Sequence, residues 1–167
     1  MILDLQTQFS GVTSAAGVKT GDAVTVTAIS NNVIDLRQAA ASITLAVPAL
    51  VDEGINPTKS WVIIQTDGSA AWAAAGAATL TITLESDSTA NLATAPVVHF
   101  SSAAIPKATL LANTVVARFG LPSDNYKRFL GLRYTVATGP FTAGAILAFM
   151  STEVQRNITY QANFQVS

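Results

Sequence analysis

Apolar and polar residues alternate with a period of two wherever this chain is regular, and β-branched and aromatic residues carry most of the alternation. Successive side chains of a strand point to opposite faces, so this period predicts half-buried β-strands. Thr79-Leu80-Thr81-Ile82-Thr83-Leu84-Glu85 is the clearest case, with Leu80, Ile82 and Leu84 on one face and the threonines and Glu85 on the other or at its edge. Residues 24–29 and 33–36 predict two short strands around the polar turn Ser30-Asn31-Asn32. Further strands are expected over 43–47, 97–101, 114–119, 128–138 and 144–151, each bounded by Pro, Gly, Asp or Asn. Residues 61–66 form a continuous apolar run, expected as a strand covered on both faces, and the loop 48–60 before it carries the breakers Gly54 and Asn56-Pro57.

Only residues 70–78 have a helix-like composition, nearly all alanine around Trp72, but Gly76 interrupts them and the stretch is too short to be helical alone. It reads as a small-residue loop. About nine short strands with turn signals between them, and no tandem repeat, predict an all-β fold. At this length the natural candidate is a jelly-roll type antiparallel β-sandwich of about eight strands, although pattern alone admits another Greek-key sandwich. The expected organisation is an N-terminal arm and turn over residues 1–20 and a single jelly-roll domain over 21–167.

Composition narrows the function classes. Charged residues make up only 11% of the 167, against roughly 25% in ordinary soluble domains, so Thr, Ser, Asn, Gln and Ala must cover much of the exterior. Such a surface suits lasting contact with other proteins, because few charges need desolvation. A net charge of −1 gives no electrostatic reason to expect nucleic acid or an anionic membrane. Lys127, Arg128 and Arg133 are the only close group of basic residues and read as solvated or paired side chains. Cysteine is absent, so packing or assembly must supply the stability that disulfides give elsewhere. Residues 1–10 place Asp4 among apolar side chains and lack a basic start, which does not fit a signal peptide, and no window is apolar enough to span a membrane.

Candidate chemistry is sparse. His99 is the only histidine, within Val97-Val98-His99-Phe100-Ser101-Ser102. On a regular strand His99 and Ser102 point apart while His99 and Ser101 share a face, and no nucleophile elbow is present, so His99 reads as a structural or rim residue. Asp52-Glu53 and Glu85-Ser86-Asp87 are the best places to look for paired carboxylates or calcium, yet neither has the ligand repeat of an EF-hand loop. The glycines and lysine of residues 17–21 lack Walker spacing. No cofactor, metal or catalytic residue is expected. Trp61 opens an apolar strand and reads as core, whereas Trp72, among alanines, is the better candidate for an exposed contact with a protein or a sugar. Ile2, Leu3, Leu5 and Phe9 precede the first clear strand and are expected to be buried, against a neighbour rather than as an edge strand of their own domain.

Three blocks carry a family resemblance: Met1-Ile2-Leu3-Asp4 with Phe9-Ser10, residues 24–36 ending in Asn32-Val33-Ile34-Asp35-Leu36, and Arg128-Phe129-Leu130-Gly131-Leu132-Arg133-Tyr134-Thr135-Val136 continued by Phe141-Thr142-Ala143-Gly144. In these the chain resembles the capsid cement protein family typified by the Bordetella phage cement protein. Residues 51–116 match only in their general β pattern. The resemblance implies a jelly roll that sits as a homo-oligomer, dimer favoured over trimer, on the capsid exterior over junctions between major capsid proteins, where it stabilises the shell. The alternative is a carbohydrate- or receptor-binding jelly-roll module of a virion.

Overall fold

The computed structural model describes residues 7–13, 19–36, 60–68 and 71–151. The expected strand over 43–47, the pair Asp52-Glu53 and the apolar residues Ile2, Leu3 and Leu5 lie outside these. The strands are β1 (Gln8–Ser10), β2 (Val12–Thr13), β3 (Lys19–Thr20), β4 (Asp22–Ala23), β5 (Ala28–Ile29), β6 (Ile34–Asp35), β7 (Trp61–Thr66), β8 (Ala73–Ala74), β9 (Thr79–Asp87), β10 (Val97–Ser101), β11 (Ile105–Pro106), β12 (Val115–Gly120), β13 (Phe129–Ala137), β14 (Phe141–Ala143) and β15 (Ala145–Ser151). No α-helix occurs among the described residues, and a 3-10 turn spans Lys107–Thr109.

Two antiparallel sheets face each other. One follows the order β1-β15-β7-β12 with β4 also on β15, and the other follows β10-β9-β13-β5 with β11 on β9 and β6 on β13. Each path contains four strands; taken in chain order, the first sheet runs first, eighth, third, sixth and the second runs fifth, fourth, seventh, second. That connectivity is the jelly roll. The alternation of residues 79–85 holds as expected: Leu80, Ile82 and Leu84 are fully buried and the threonines between them are not. They meet Leu130, Leu132 and Tyr134 from β13 and, across the sandwich, Val62, Ile64, Ile146 and Ala148 in one core. β15 is buried on both faces: Ile146, Ala148 and Met150 belong to the core, and on the other face the turn at Gly11 lies against Leu147. β7, by contrast, is fully buried only on the face of Val62, Ile64 and Thr66, and Trp61 is half-buried rather than core.

The stretch at residues 32–36 fastens the two sheets. Asn32 donates its amide Nδ2 to the Gln8 carbonyl at 2.6 Å and its backbone N–H to the Phe9 carbonyl at 2.9 Å. Ile34 and Leu36 are buried, and the Leu36 N–H reaches the Arg128 carbonyl at 2.8 Å. Deeper in, the Tyr134 hydroxyl of β13 meets Ser10 Oγ of β1 at 2.8 Å, so the one polar tip in this part of the core is satisfied across the sheets. Residues 24–29 are not one strand: 25–27 bend, and only Ala28–Ile29 pairs with β13, because the Val24 N–H turns to the Gly144 carbonyl at 3.0 Å.

Candidate functional site

Phe9 and Trp72, the two expected contact residues that fall within the described structure, are both in the interior. Phe9 has no exposed surface and belongs to the central core, so Gln8–Ser10 is an edge strand of its own domain and not an arm on a neighbour. The register of β1 on β15 shifts between Gln8 and Ser10, and this bulge carries Phe9 inward. Trp72 is buried with its ring edge-on to Phe141 at 4.9 Å. It enters the interior because Gly144 leaves room for the indole, a contact that no local pattern around residues 70–78 reveals. An exposed stacking platform at Trp72 is therefore ruled out by packing.

Polar side chains instead converge at the end of β9. Ser86 Oγ lies 2.7 Å from His99 Nε2, and His99 Nδ1 lies 2.7 Å from Asp124 Oδ2. The Lys127 backbone N–H donates to the same Ser86 Oγ at 3.0 Å. The consistent assignment has Ser86 O–H donating to Nε2 and Nδ1–H donating to the carboxylate. His99 reaches Ser86 because β10 bulges: Val98 pairs with Glu85 and Phe100 with Leu84, which leaves His99 as the extra residue, turned out of strict alternation. The Tyr126 ring packs on the imidazole at 4.3 Å between centroids. Burial raises the Tyr126 phenol well above its ordinary range, with the Asp124 charge adding to it. The hydrogen bond from His99, followed by the backbone N–H of Asn125, holds the Asp124 carboxyl below the ordinary carboxylate range.

The order serine, imidazole, carboxylate is that of a nucleophilic triad. Attack requires a substrate carbon within about 3–3.5 Å of the oxygen. Ser86 has no exposed surface, and the His99 side chain has none either. The cluster ties β9, β10 and the segment before β13 together.

The carboxylates considered for calcium are likewise engaged by the protein. Glu85, expected on the outer face or at its edge, is buried, with Arg133 of the paired strand β13 2.9 Å from it and also donating to the Leu92 carbonyl. Asp87 accepts from the N–H groups of Ser88, Thr94 and Ala95 at 2.6, 2.8 and 3.2 Å and so closes the loop that joins β9 to β10. Burial alone would raise the Asp87 carboxyl; those three N–H groups and the Ser88 hydroxyl outweigh it and hold the group below its usual range. Arg128 forms a two-nitrogen contact with Asp35, and Lys127 Nζ donates to the Ala95 carbonyl, so the basic trio is paired.

These depressed carboxylates fix the sign of the acid response. A carboxyl whose folded value lies below its unfolded value contributes stability that is fully present above the unfolded value and is lost as pH falls through the folded one. Stability should therefore decline from about pH 4 downward, and Asp87→Asn, which cannot accept at both oxygens, should flatten that decline. Urea titrations at stepped pH would check this; equal stability at about pH 4 and pH 2 would contradict it.

The two border strands β10 and β12 expose apolar side chains. β10 and β12 border their sheets on the same side, with Phe100 stacked on Phe119 at 3.8 Å between centroids. Val97 and Val98 of β10 are 39% and 52% exposed, Val115 of β12 51%, and Leu111, ahead of β12, 63%. Val12 and Val26 are exposed elsewhere.

The architecture defines a jelly-roll domain whose polar clusters tie strands and loops together and whose border strands expose apolar side chains. The Bbp16 family profile matches residues 18–150, and the chain belongs to that family. Bbp16 is a Bordetella phage protein family, in agreement with the resemblance read from the sequence. The match covers the middle of the chain, where no single motif stands out, and begins after the opening residues that contributed to the resemblance. No curated protein matches the chain. Among the described residues no helix is long and apolar enough to cross a membrane.

Proposed function

We propose that this protein is a capsid cement protein: it binds the outer surface of a tailed-phage capsid at junctions between major capsid proteins and stabilises the shell, as a homo-oligomer with a dimer favoured. The observation that carries this reading is a phage-family jelly roll with apolar side chains exposed on its border strands, while Arg128 and Arg133 are paired with Asp35 and Glu85. In this reading the protein has no catalytic role, and the Ser86–His99–Asp124 chain is a structural tie. It needs neither nucleic acid nor membrane as partner. The carbohydrate-binding alternative lacks support from Trp72, whose ring is buried.

The decisive experiment is co-sedimentation of the purified protein with empty capsids of its phage, where binding at the shell is expected and its absence would refute the proposal. Apolar and backbone contacts should dominate, so raising salt from about 0.05 to 0.5 M should change the affinity by less than about threefold, since screening acts on exposed charges. A steep fall with salt would assign the binding to charged residues instead.

A further inference from the structure

The two ends of the sandwich differ in charge. Where β13 begins stand the Arg128–Asp35 pair, Lys127 and Asp124, whose side chain is 50% exposed. Where β13 finishes beside the start of β9, three stretches meet instead: residues 24–28, the alanine-rich 71–78 and the turn 137–143. Residues 26–28, 75–77, 137–140 and Thr142 are exposed there and carry no charge, and Val26 is 59% exposed. Building on the cement reading, we propose that this uncharged end is the face that contacts the capsid, and that the capsid surface under it is uncharged as well.

A lasting contact is costly where charges must lose their water, and these residues have none to desolvate. Small side chains at Ala75, Gly76 and Gly139 also let a partner approach the backbone closely. The end is held rigid in advance, so little conformational entropy is lost on binding. β14 pairs with β8, and the Phe141 N–H reaches the Thr25 carbonyl at 3.0 Å. The Val136 N–H donates to Thr27 Oγ1 at 2.9 Å, and Thr138 Oγ1 donates to the Ala77 carbonyl at 2.8 Å. Thr138 has φ +60°, which a β-branched residue seldom adopts, and its bond to Ala77 fixes it there. Trp72 braces the end from below, 8% exposed and packed on Phe141, and its Nε1 is a buried donor without a hydrogen-bond partner. Such a group is uncommon in a folded interior and marks this end as unlike the rest of the core.

Neighbouring charges do not spoil the surface. Asp22 and Asp67, toward this end of the other sheet, each accept a backbone N–H, from Gly11 and Gly21, at 2.6 Å. Lys107, whose N–H reaches the Ala78 carbonyl at 3.1 Å, stands at the margin. The border strands also expose apolar side chains, but exposed Arg118 of β12 and Asp124 beside His99 of β10 stand among them. Contact through the uncharged end also accounts for the weak salt dependence expected above, because no exposed charge in it can be screened.

Charges placed on exposed positions test this in the full chain. Val26→Glu with Thr142→Glu, and Val26→Lys with Thr142→Lys, are compared with Ala93→Glu plus Asn125→Glu at the charged end, all by co-sedimentation with empty capsids of the phage. Both end variants are expected to bind at least about tenfold more weakly whichever the sign, since a charge carried into an uncharged contact is stranded there. The variant at the other end should stay within about twofold of the unaltered protein. Urea midpoints check the fold, and Ala75→Glu with Ala75→Lys, at another exposed position, replace any pair that lowers them. Unchanged binding of both end variants, or a loss confined to one sign, would overturn the proposal while leaving the cement reading intact. An unaltered protein that does not sediment with capsids would refute both. Light scattering of the free variants covers the remaining case: an oligomer that falls apart on charging this end would assign the face to a second copy and overturn the proposal.

Discussion

Phe9→Ala is expected to lower the unfolding free energy by about 3–5 kcal/mol, the usual range for emptying a fully buried aromatic site. The side chain has no exposed surface and packs in the central core, and the β1 bulge that places it there is fixed by two further contacts. Its own carbonyl accepts the Asn32 N–H, and its neighbour Ser10 bonds the Tyr134 hydroxyl. The cavity therefore cannot collapse without disturbing both sheets. Domains of this size hold only about 5–15 kcal/mol in total, so the variant should show a much lower urea midpoint or fail to accumulate as folded protein. A contact residue on a detachable arm would behave otherwise: the midpoint would be unchanged and only association would suffer.

Gly144→Ala should be nearly as damaging, at about 3–5 kcal/mol from backbone strain and overpacking together. Gly144 has φ +145°, a conformation that residues with a Cβ rarely adopt. An alanine Cβ would also lie 2.4 Å from Trp72 Cδ2 and 2.5 Å from Cε3, well inside van der Waals contact. The ring cannot simply withdraw, since Phe141 stands edge-on against it at 4.9 Å. The predicted observables are a reduced thermal midpoint and a shifted tryptophan emission maximum as Trp72 gains water. The contrast is Gly139→Ala: Gly139 also has positive φ, but a Cβ there meets nothing within 4 Å, so only the conformational part of the penalty, about 1–2 kcal/mol, applies. Equal effects at the two glycines would mean that the Trp72 contact contributes nothing.

Phe9 and Trp72 also show where reading along the chain stops. The sequence by itself determined the fold class and the buried face of residues 79–84. Residues 79–85 announce their buried side because side-chain alternation is a property of the strand backbone alone, independent of what it pairs with. Asn32-Val33-Ile34-Asp35-Leu36 could be singled out as a family signature, but its work in fastening β1 and β13 could not be read, because its partners Gln8, Phe9 and Arg128 come from elsewhere in the chain. The places of His99 and Phe9 each depend on a bulge, which is set by the register of the neighbouring strand and is invisible to alternation along the chain. Trp72 lay among alanines that gave no sign of burial, and only the approach of Gly144 and Phe141, more than sixty residues later in the chain, made a pocket for it. Tertiary structure alone likewise brought Ser86, His99 and Asp124 into one line of hydrogen bonds, since polar side chains take the partners that non-local strand pairing places within reach and not those nearest in sequence.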